Sequence, residues 1–285
     1  MLLVDANNII HRSYHALINT NLRGTNGEPT WAIHGLVVAL ARNLKESGST
    51  KFVLAFDSPE KSVRKNLHPF YKGTRKPAPE ELSLQLEQAY QTISDARLGA
   101  CRVPGWEADD IIASAINDND TFYILSSDRD AHQLLASNVS IIKPESGFFG
   151  EKEFEKKYNF KPELYRFFAA LVGETSDNID GVKGIGEKTA LKIIQSLNSP
   201  ERLTKLGSNL EMLREVLSTK QLSLLENGVE IYYRNISINT LNRDLNVVKN
   251  FSGNLNPNSY RPPLEALNLR KAITLLDSLN QSTLF

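Results

Sequence analysis

Gly105-Trp106-Glu107-Ala108-Asp109-Asp110-Ile111-Ile112 sets three carboxylates within four residues, where a short apolar run ending near Val103 should turn into a helix. Acids suit the first turn of a helix, because its unpaired N–H groups carry partial positive charge. On its own, E-x-D-D could be no more than a helix start. Further acids stand at the ends of other apolar runs or in turns: Asp5, Asp57, Asp128, Asp130, Glu174 and Asp177. If these groups converge, two unit charges ~4 Å apart cost ~4 kcal/mol at an effective dielectric of ~20. Bound cations would make such a cluster tolerable. Oxygen donors without a His or Cys set at metal spacing favour Mg²⁺ or Mn²⁺ over Zn²⁺. Two such ions ~4 Å apart can activate a water and stabilise the leaving oxygen of a phosphodiester. A calcium loop is a poor reading of Asp128-Arg129-Asp130, since Ala131-His132 follow where a further ligand and a Gly are required. A phosphoryl-aspartate nucleophile also fits D-x-D but has no other support.

Two further stretches suit nucleic acid. Between Glu60 and Glu80 lie Lys61, Arg64, Lys65, Lys72, Arg75 and Lys76 with no acid, and Phe70 and Tyr71 are interleaved. Basic and aromatic residues together suit phosphate contacts and base stacking. Read blandly this is a solvated loop, but its place directly after Asp57 favours a substrate role. The second stretch is G-V-x-G-I-G-x-x-T-A at 181–190. Its glycines permit tight turns between two helices, and the N–H groups opening the second helix can face a phosphate. Lys183 and Lys188 add charge there without reading sequence.

The elements that must position these groups read as strands alternating with helices. Leu2–Val4, Phe52–Phe56 and Phe122–Leu125 are apolar without alternation, and 100–103 and 139–142 are weaker strands. Helical patterns cover 31–47, 80–97 and 108–118. This is the signature of an α/β fold with a parallel sheet covered on both faces. The ligand crevice of such a sheet lies at the carboxyl ends of its strands, where Asp5, Asp57 and Asp128 stand. Capping of the following helices is their alternative use. Beyond residue 150 the chain reads as helical: 154–172 with a break near 159–162, then 190–197, 209–217, 219–229 and 264–279, with 250–263 irregular.

Composition sets outer bounds. The 285 residues are 41% hydrophobic, enough for a large core, and Lys+Arg and Asp+Glu both number 33, so net charge indicates no partner. Cys101 is the only cysteine, which excludes an intrachain disulfide and agrees with a reducing compartment. No apolar run approaches the ~20 residues of a membrane span. No secretory signal is read at the N-terminus, because Asp5 and His11 interrupt it. The expectation is a cytoplasmic protein without a membrane partner.

Taken together, these residues resemble the 5′ nuclease (flap endonuclease) family, most closely the 5′→3′ exonuclease domain of bacterial DNA polymerase I and its free-standing, sometimes phage-encoded, relatives. The resemblance covers nearly the whole chain. It is carried by L-L-V-D-A-N-N at 2–8, H-R-S-Y-H-A-L at 11–17, N-G-E-P-T at 26–30, F-D at 56–57 and Y-K-G-T-R at 71–75. G-W-E-A-D-D at 105–110, S-S-D-R-D at 126–130, S-D-N-I at 176–179 and the hairpin at 181–190 complete it. The resemblance implies a PIN-like parallel-sheet nuclease core over 1–170, with a helical arch at about 61–85. A helical subdomain over 171–285 would carry a helix-hairpin-helix (H3TH) module at 181–190.

It implies two divalent ions, with Asp5, Asp57, Glu107 and Asp109 around the first. Asp128, Asp130, Asp177 and Glu174 would surround the second, and Asp110 would act through water or as a bridge. Lys72 and Arg64, assisted by Arg75, would face the scissile phosphate. Arg12, Tyr14 and Tyr71, with Lys183, Gly184, Gly186, Lys188 and Thr189 of the hairpin, would contact DNA. Carbonyls of Val182 and Ile185 would hold K⁺. Two positions depart from the family pattern: Glu174 replaces an Asp, and Asp180 replaces a Pro.

The expected activity is metal-dependent hydrolysis of DNA and RNA-primer phosphodiesters at 5′ flaps and 5′ ends, in replication and repair. Expected partners are branched or nicked duplex DNA with a 5′ flap and RNA–DNA primer ends, engaged by a monomer. With no polymerase domain following, the protein would act independently. The tail Gln281–Phe285 faintly resembles peptides that dock on sliding clamps. A non-catalytic junction-binding protein and a metal-dependent ribonuclease on a related core are the alternatives. The first would have lost a core acid, and the hairpin argues against the second.

Overall fold

A computed structural model describes residues 1–143, 147–245 and 253–282. Its centre is a six-stranded sheet: β1 (Leu2–Asp5), β2 (Phe52–Phe56), β3 (Ala100–Arg102), β4 (Phe122–Leu125), β5 (Val139–Lys143) and β6 (Gly147–Phe149), in the order β3-β2-β1-β4-β5-β6. The first five strands are parallel, and β6 returns antiparallel on β5. Val4 sits opposite Leu54 on one side and Leu125 on the other, so β1, β2 and β4 end together.

Successive side chains of a strand point to opposite faces, and both faces are apolar here. Leu2, Val4, Leu54, Phe56 and Leu125 share a core with α1 (Ala6–Leu17), α2 (Trp31–Ser47) and α4 (Glu80–Asp95). Leu3, Val53, Ala55 and Ile124 share the other with α5 (Ala108–Ala115), α7 (Tyr165–Val172) and α8 (Glu187–Leu197). Helix α2 buries Ile33, Leu36, Val37, Leu40, Ala41 and Leu44, the three-and-four spacing of an amphipathic helix, and stops at Gly48 in the left-handed region.

The arch segment is less helical than expected. It contains only α3 (Val63–Leu67), capped by Ser62, and then turns and extended chain up to α4. Pro69, Gly73, Pro77 and Pro79 account for this, since proline removes a helix hydrogen bond and restrains the residue before it.

After α6 (Glu151–Tyr158), α7 leads into a small hairpin of β7 (Gly173–Glu174) and β8 (Ile179–Asp180), then to α8, α9 (Pro200–Thr204), α10 (Thr219–Asn227) and α11 (Val229–Asn239). The expected helix at 209–217 is instead a 3₁₀ run, Leu206–Leu213, and α11 went unread in the sequence. The stretch 250–263, expected to be irregular, contains the start of α12 (Pro257–Ala266), with Asn256 as its cap and Pro257 in the first turn, where no N–H is required. Burial of Tyr260 and Leu264 holds that helix despite Pro262 and Pro263 within it. The expected last helix, 264–279, breaks at Asn268, which has a positive φ, and resumes as α13 (Arg270–Ser282). Both α12 and α13 were expected within the helical subdomain. They pack instead with α2 and α4, and Tyr260, Leu264, Ala272 and Leu276 join that core. The clamp-docking expectation depends on 283–285, which lie outside the described residues. Among the described residues no helix is long and apolar enough to cross a membrane.

Candidate active site

The shared ending of β1, β2 and β4 fixes the first acids. Asp5 is the last residue of β1 and caps α1, accepting from the Asn8 N–H at 3.0 Å and from the Ser126 hydroxyl at 2.9 Å. Asp57 follows β2 directly and accepts from the Ala108 N–H at 2.8 Å, which ties it to the start of α5. Asp128 follows β4 and accepts from the Asp130 N–H at 2.9 Å. Glu107 and Asp110 close the start of α5 as a capping box. Capping and convergence are therefore the same geometry here, not competing readings.

The acids lie close enough to act on one another's charge. Burial, and then the Asp57 charge, push Asp5 up to about 7. Burial, and then Asp128 and Asp177, push Asp130 up to about 8. Burial also raises Asp57, and raises Asp109 well above the usual carboxylate range, with Asp110 and Glu107 adding repulsion. Glu107 behaves oppositely. Burial alone would raise it, but Lys72 and Arg64 outweigh that and hold it below its ordinary value.

The cations come from the segment after α3's start. Arg64 grips Asp110 with both terminal nitrogens, at 2.5 and 2.9 Å, while its Nε donates to the Ile238 carbonyl at 2.8 Å. It also reaches Glu107 at 3.3 Å and Asp109 at 3.7 Å. Lys72 Nζ lies 3.1 Å from Glu107, and the Tyr71 hydroxyl donates to the same oxygen at 3.0 Å. Arg75 pairs with Asp177 and donates through Nε to the Ser176 carbonyl at 3.2 Å. Two contacts pin this loop onto the β7–β8 turn: the Lys72 N–H donates to the Asp177 carbonyl at 2.8 Å and the Asn178 side-chain amide donates to the Phe70 carbonyl at 2.8 Å. Lys72 itself has φ +55, a conformation L residues adopt at a cost of order 1–3 kcal/mol.

Several residues stand differently from expectation. Arg64 is buried with every nitrogen engaged, so it does not present a free cation to a phosphate. Asp110 is fully buried between Arg64 and the Asn242 N–H, 2.9 Å away, which suits bracing more than bridging through water. Tyr71 is 5% exposed and bonded to Glu107, whereas its neighbour Phe70 is 79% exposed, so Phe70 offers the free ring. Tyr14 is buried against Trp31, with ring centroids 5.6 Å apart, so it presents no exposed ring. Arg12 is exposed. Glu174 is half-buried and accepts from the Ser176 hydroxyl at 2.8 Å. Asn7 and Asn8 were overlooked: Asn7 accepts from the Asp57 N–H at 3.1 Å, and Asn8 accepts from Ser127 through both its N–H and its hydroxyl. Their place beside Asp5 in the first turn of α1 was the available signal.

The hairpin is a separate, exposed feature. The Ile185 N–H donates to the Val182 carbonyl at 2.9 Å, and both side chains are buried. Gly184 has φ +81 and lies where a Cβ would meet Leu224 at 2.7 Å, so the turn requires glycine. Gly186 is the N-cap of α8, and its carbonyl accepts from the Thr189 and Ala190 N–H groups. Lys183, Gly184, Gly186 and Lys188 are exposed, and Thr189 is half-exposed.

Among the described residues, no three acid, His or Cys side chains form a ready-made metal-binding group as they lie. The donor set nonetheless fits a hard divalent cation. It offers only carboxylate oxygens, and its Asp5, Asp57, Asp128 and Asp130 part makes no ion pair among the described residues, with Asp5 and Asp130 driven toward protonation.

The sequence matches two family models: 5′-3′ exonuclease, N-terminal resolvase-like domain, over residues 1–159, and 5′-3′ exonuclease, C-terminal SAM fold, over 160–259. Among similar curated proteins is the thermostable DNA polymerase I of Thermus aquaticus, 35% identical over 230 residues, covering 79% of this chain and 27% of that protein. The Mycobacterium tuberculosis DNA polymerase I is 32% identical over 223 residues, covering 75% of this chain and 24% of that protein. The chain thus spans about a quarter of the length of such relatives. Among solved structures, the T5 5′-exonuclease with divalent metal ions (zinc) bound has a TM-score of 0.67 at 17% identity, covering 99% of this chain and 98% of that one. Flap endonuclease-1 from Methanococcus jannaschii has a TM-score of 0.58 at 16% identity, covering 99% and 93%. At such identities the likeness establishes the α/β fold with its helical second part.

Proposed function

This chain belongs to the 5′-3′ exonuclease family of nucleases, and from that premise we propose that it hydrolyses phosphodiesters of DNA and RNA primers at 5′ flaps and 5′ ends with two divalent metal ions. The observation that carries the reading is the closeness of the strand-end acids Asp5, Asp57 and Asp128 to one another and to Glu107, which, like Asp177, holds a cation of the covering loop, Lys72 or Arg75. Asp5, Asp57, Glu107 and Asp109 would hold one ion. Asp128, Asp130, Asp177 and Glu174 would hold the other. Mg²⁺ or Mn²⁺ bound there supplies a more acidic water and positive charge at the leaving oxygen.

The chain's own residues do the rest. Asn7 and Asn8 fix the strand ends, so the acids keep their spacing. Arg64 and Asp110 brace the start of α5, while Lys72 and Arg64 hold Glu107 ionised. Lys72 is the preorganised cation for charge developing on the scissile phosphate, and it must exchange Glu107 for that phosphate. Arg75 makes the same exchange from Asp177.

The α/β part at 1–170 would be the nuclease core and the hairpin region the grip on duplex DNA. The hairpin's exposed Lys183 and Lys188 and the α8 N–H groups would receive phosphates, while carbonyls at Val182 and Ile185 hold K⁺. Phe70 replaces Tyr71 as the base-stacking ring. We assign it a role in replication and repair, acting in the cytoplasm as a monomer.

The deciding measurement is Mg²⁺-dependent cleavage of a labelled 5′-flap duplex beside single-stranded RNA. Rapid cutting of the flap alone is expected. Preference for the RNA would establish the ribonuclease alternative, and binding without cutting would establish the non-catalytic one.

A further inference from the structure

A cavity of about 850 Å³ opens on the far side of Arg64's contacts, lined by Trp106, Arg166, Asn242 and Arg243 among others. None of the nine acids discussed above lines it. Its volume falls in the ~300–1,000 Å³ range of small-molecule sites. Arg64 also borders it, but that guanidinium is committed to Asp110 and the Ile238 carbonyl. Arg166, on α7, and Arg243, in the segment after α11, are different. Arg166 Nε is buried without a hydrogen-bond partner, its guanidinium lying 4.7 Å from the Phe167 ring centroid; Arg243 makes only a long hydrogen bond, 3.5 Å, to the Gln133 carbonyl, and neither makes an ion pair among the described residues. Glu163 and Asp244 border the same cavity without reaching ion-pair distance of either. Burial, and then the Arg243 charge, lower Arg166, so the two cations sit close enough to repel. A buried donor left unpaired costs about 1–3 kcal/mol, and a forked pair of guanidiniums matches a phosphate. Trp106 supplies an aromatic surface in the same lining, and Asn242 an amide group.

We propose that this cavity binds a nucleoside 5′-monophosphate, its phosphate on Arg166 and Arg243 and its base against Trp106. The choice of nucleotide over other phosphate esters rests on the nuclease reading above, because exonucleolytic cutting releases such units. Trp106 provides the readout, since Trp31, the other of the two tryptophans, is buried.

The test titrates the full chain with thymidine 5′-monophosphate, thymidine or inorganic phosphate, in EDTA, following tryptophan fluorescence and equilibrium dialysis. Saturable binding of the nucleotide is expected, with thymidine and phosphate each at least about tenfold weaker, the worth of a charge-assisted contact. Arg166→Ala and Arg243→Ala should each weaken it about as much, and Lys72→Ala should leave it unchanged. If an Ala variant fails to fold, Arg166→Lys and Arg243→Lys keep the charge, lose the fork, and should still bind more weakly. Three results would overturn the proposal: no binding at millimolar nucleotide, thymidine or phosphate binding as tightly as the nucleotide, or loss of binding in Lys72→Ala with retention in the arginine variants. Each leaves the flap-cleavage test untouched, so the two readings fail separately.

Discussion

Glu107, Asp110 and Asp177 each hold a cation from the segment that covers them, whereas Asp5, Asp57, Asp128 and Asp130 hold only N–H groups, hydroxyls or one another's repulsion. Members of the two sets titrate in opposite directions. Glu107 is held below its ordinary value, while Asp5 and Asp130 rise to about 7 and about 8. Asp109 belongs in position to the first half but behaves like the second, because its burial outweighs the pull of Arg64, whose short contacts go to Asp110. The difference separates two tasks. Ion pairs internal to the fold keep one half in place, and the other half is left needing positive charge from outside.

The largest effect should come from breaking the uncompensated half. Asp128→Asn should abolish Mg²⁺-dependent cleavage while leaving flap binding within a few-fold. The loss should exceed the ~10–100-fold typical of removing an outer-sphere partner of a metal. A variant cutting at the parent rate would place the chemistry elsewhere.

On the compensated half, Lys72→Ala should lower kcat by ~10²–10³, the usual cost of deleting one preorganised electrostatic group. A change confined to KM would reduce Lys72 to a binding residue. Arg64→Ala should act differently, through stability. Removing one partner of a buried pair leaves the other charge uncompensated and typically costs ~3–5 kcal/mol. Denaturant unfolding should show that loss, and the double variant Arg64→Met with Asp110→Leu should recover much of it. If the single variant unfolds like the parent but has lost activity, Arg64 belongs with Lys72 after all.

This division was only half visible in the sequence. Strand-end acids are legible because an apolar run closed by Asp is a local signal, and Asp5, Asp57 and Asp128 do end adjacent parallel strands. Pairing is not local. Nothing near Arg64 in the chain announces Asp110 or the Ile238 carbonyl, which are distant in sequence. The same limit explains Phe70 and Tyr71: two adjacent aromatics are equivalent on paper, and only the approach of Glu107 decides which is buried. It also explains α12, where burial of Tyr260 and Leu264 overrides the local evidence of Pro262 and Pro263. Hairpin glycines were legible because a positive φ at Gly184 is a backbone demand that few other residues meet.

The smallest and most general prediction concerns pH without metal. Asp5 and Asp130 ordinarily titrate near 3.8, and in the fold they titrate at about 7 and about 8. Between those values the folded protein holds protons that the unfolded chain has released, so stability is greatest in mild acid and falls as pH rises through 7–8. In EDTA, the melting temperature should therefore decline from pH 6 to pH 8.5. Mg²⁺ should raise it more at pH 8.5 than at pH 6, because an ion then replaces protons already lost. Asp5→Asn should flatten the decline in EDTA, since an amide has no proton to release. Glu107→Gln should leave the slope over this range, because that carboxyl is held ionised throughout it. Equal slopes in the two variants would mean that the crevice is electrostatically uniform and that its two halves do not differ as drawn.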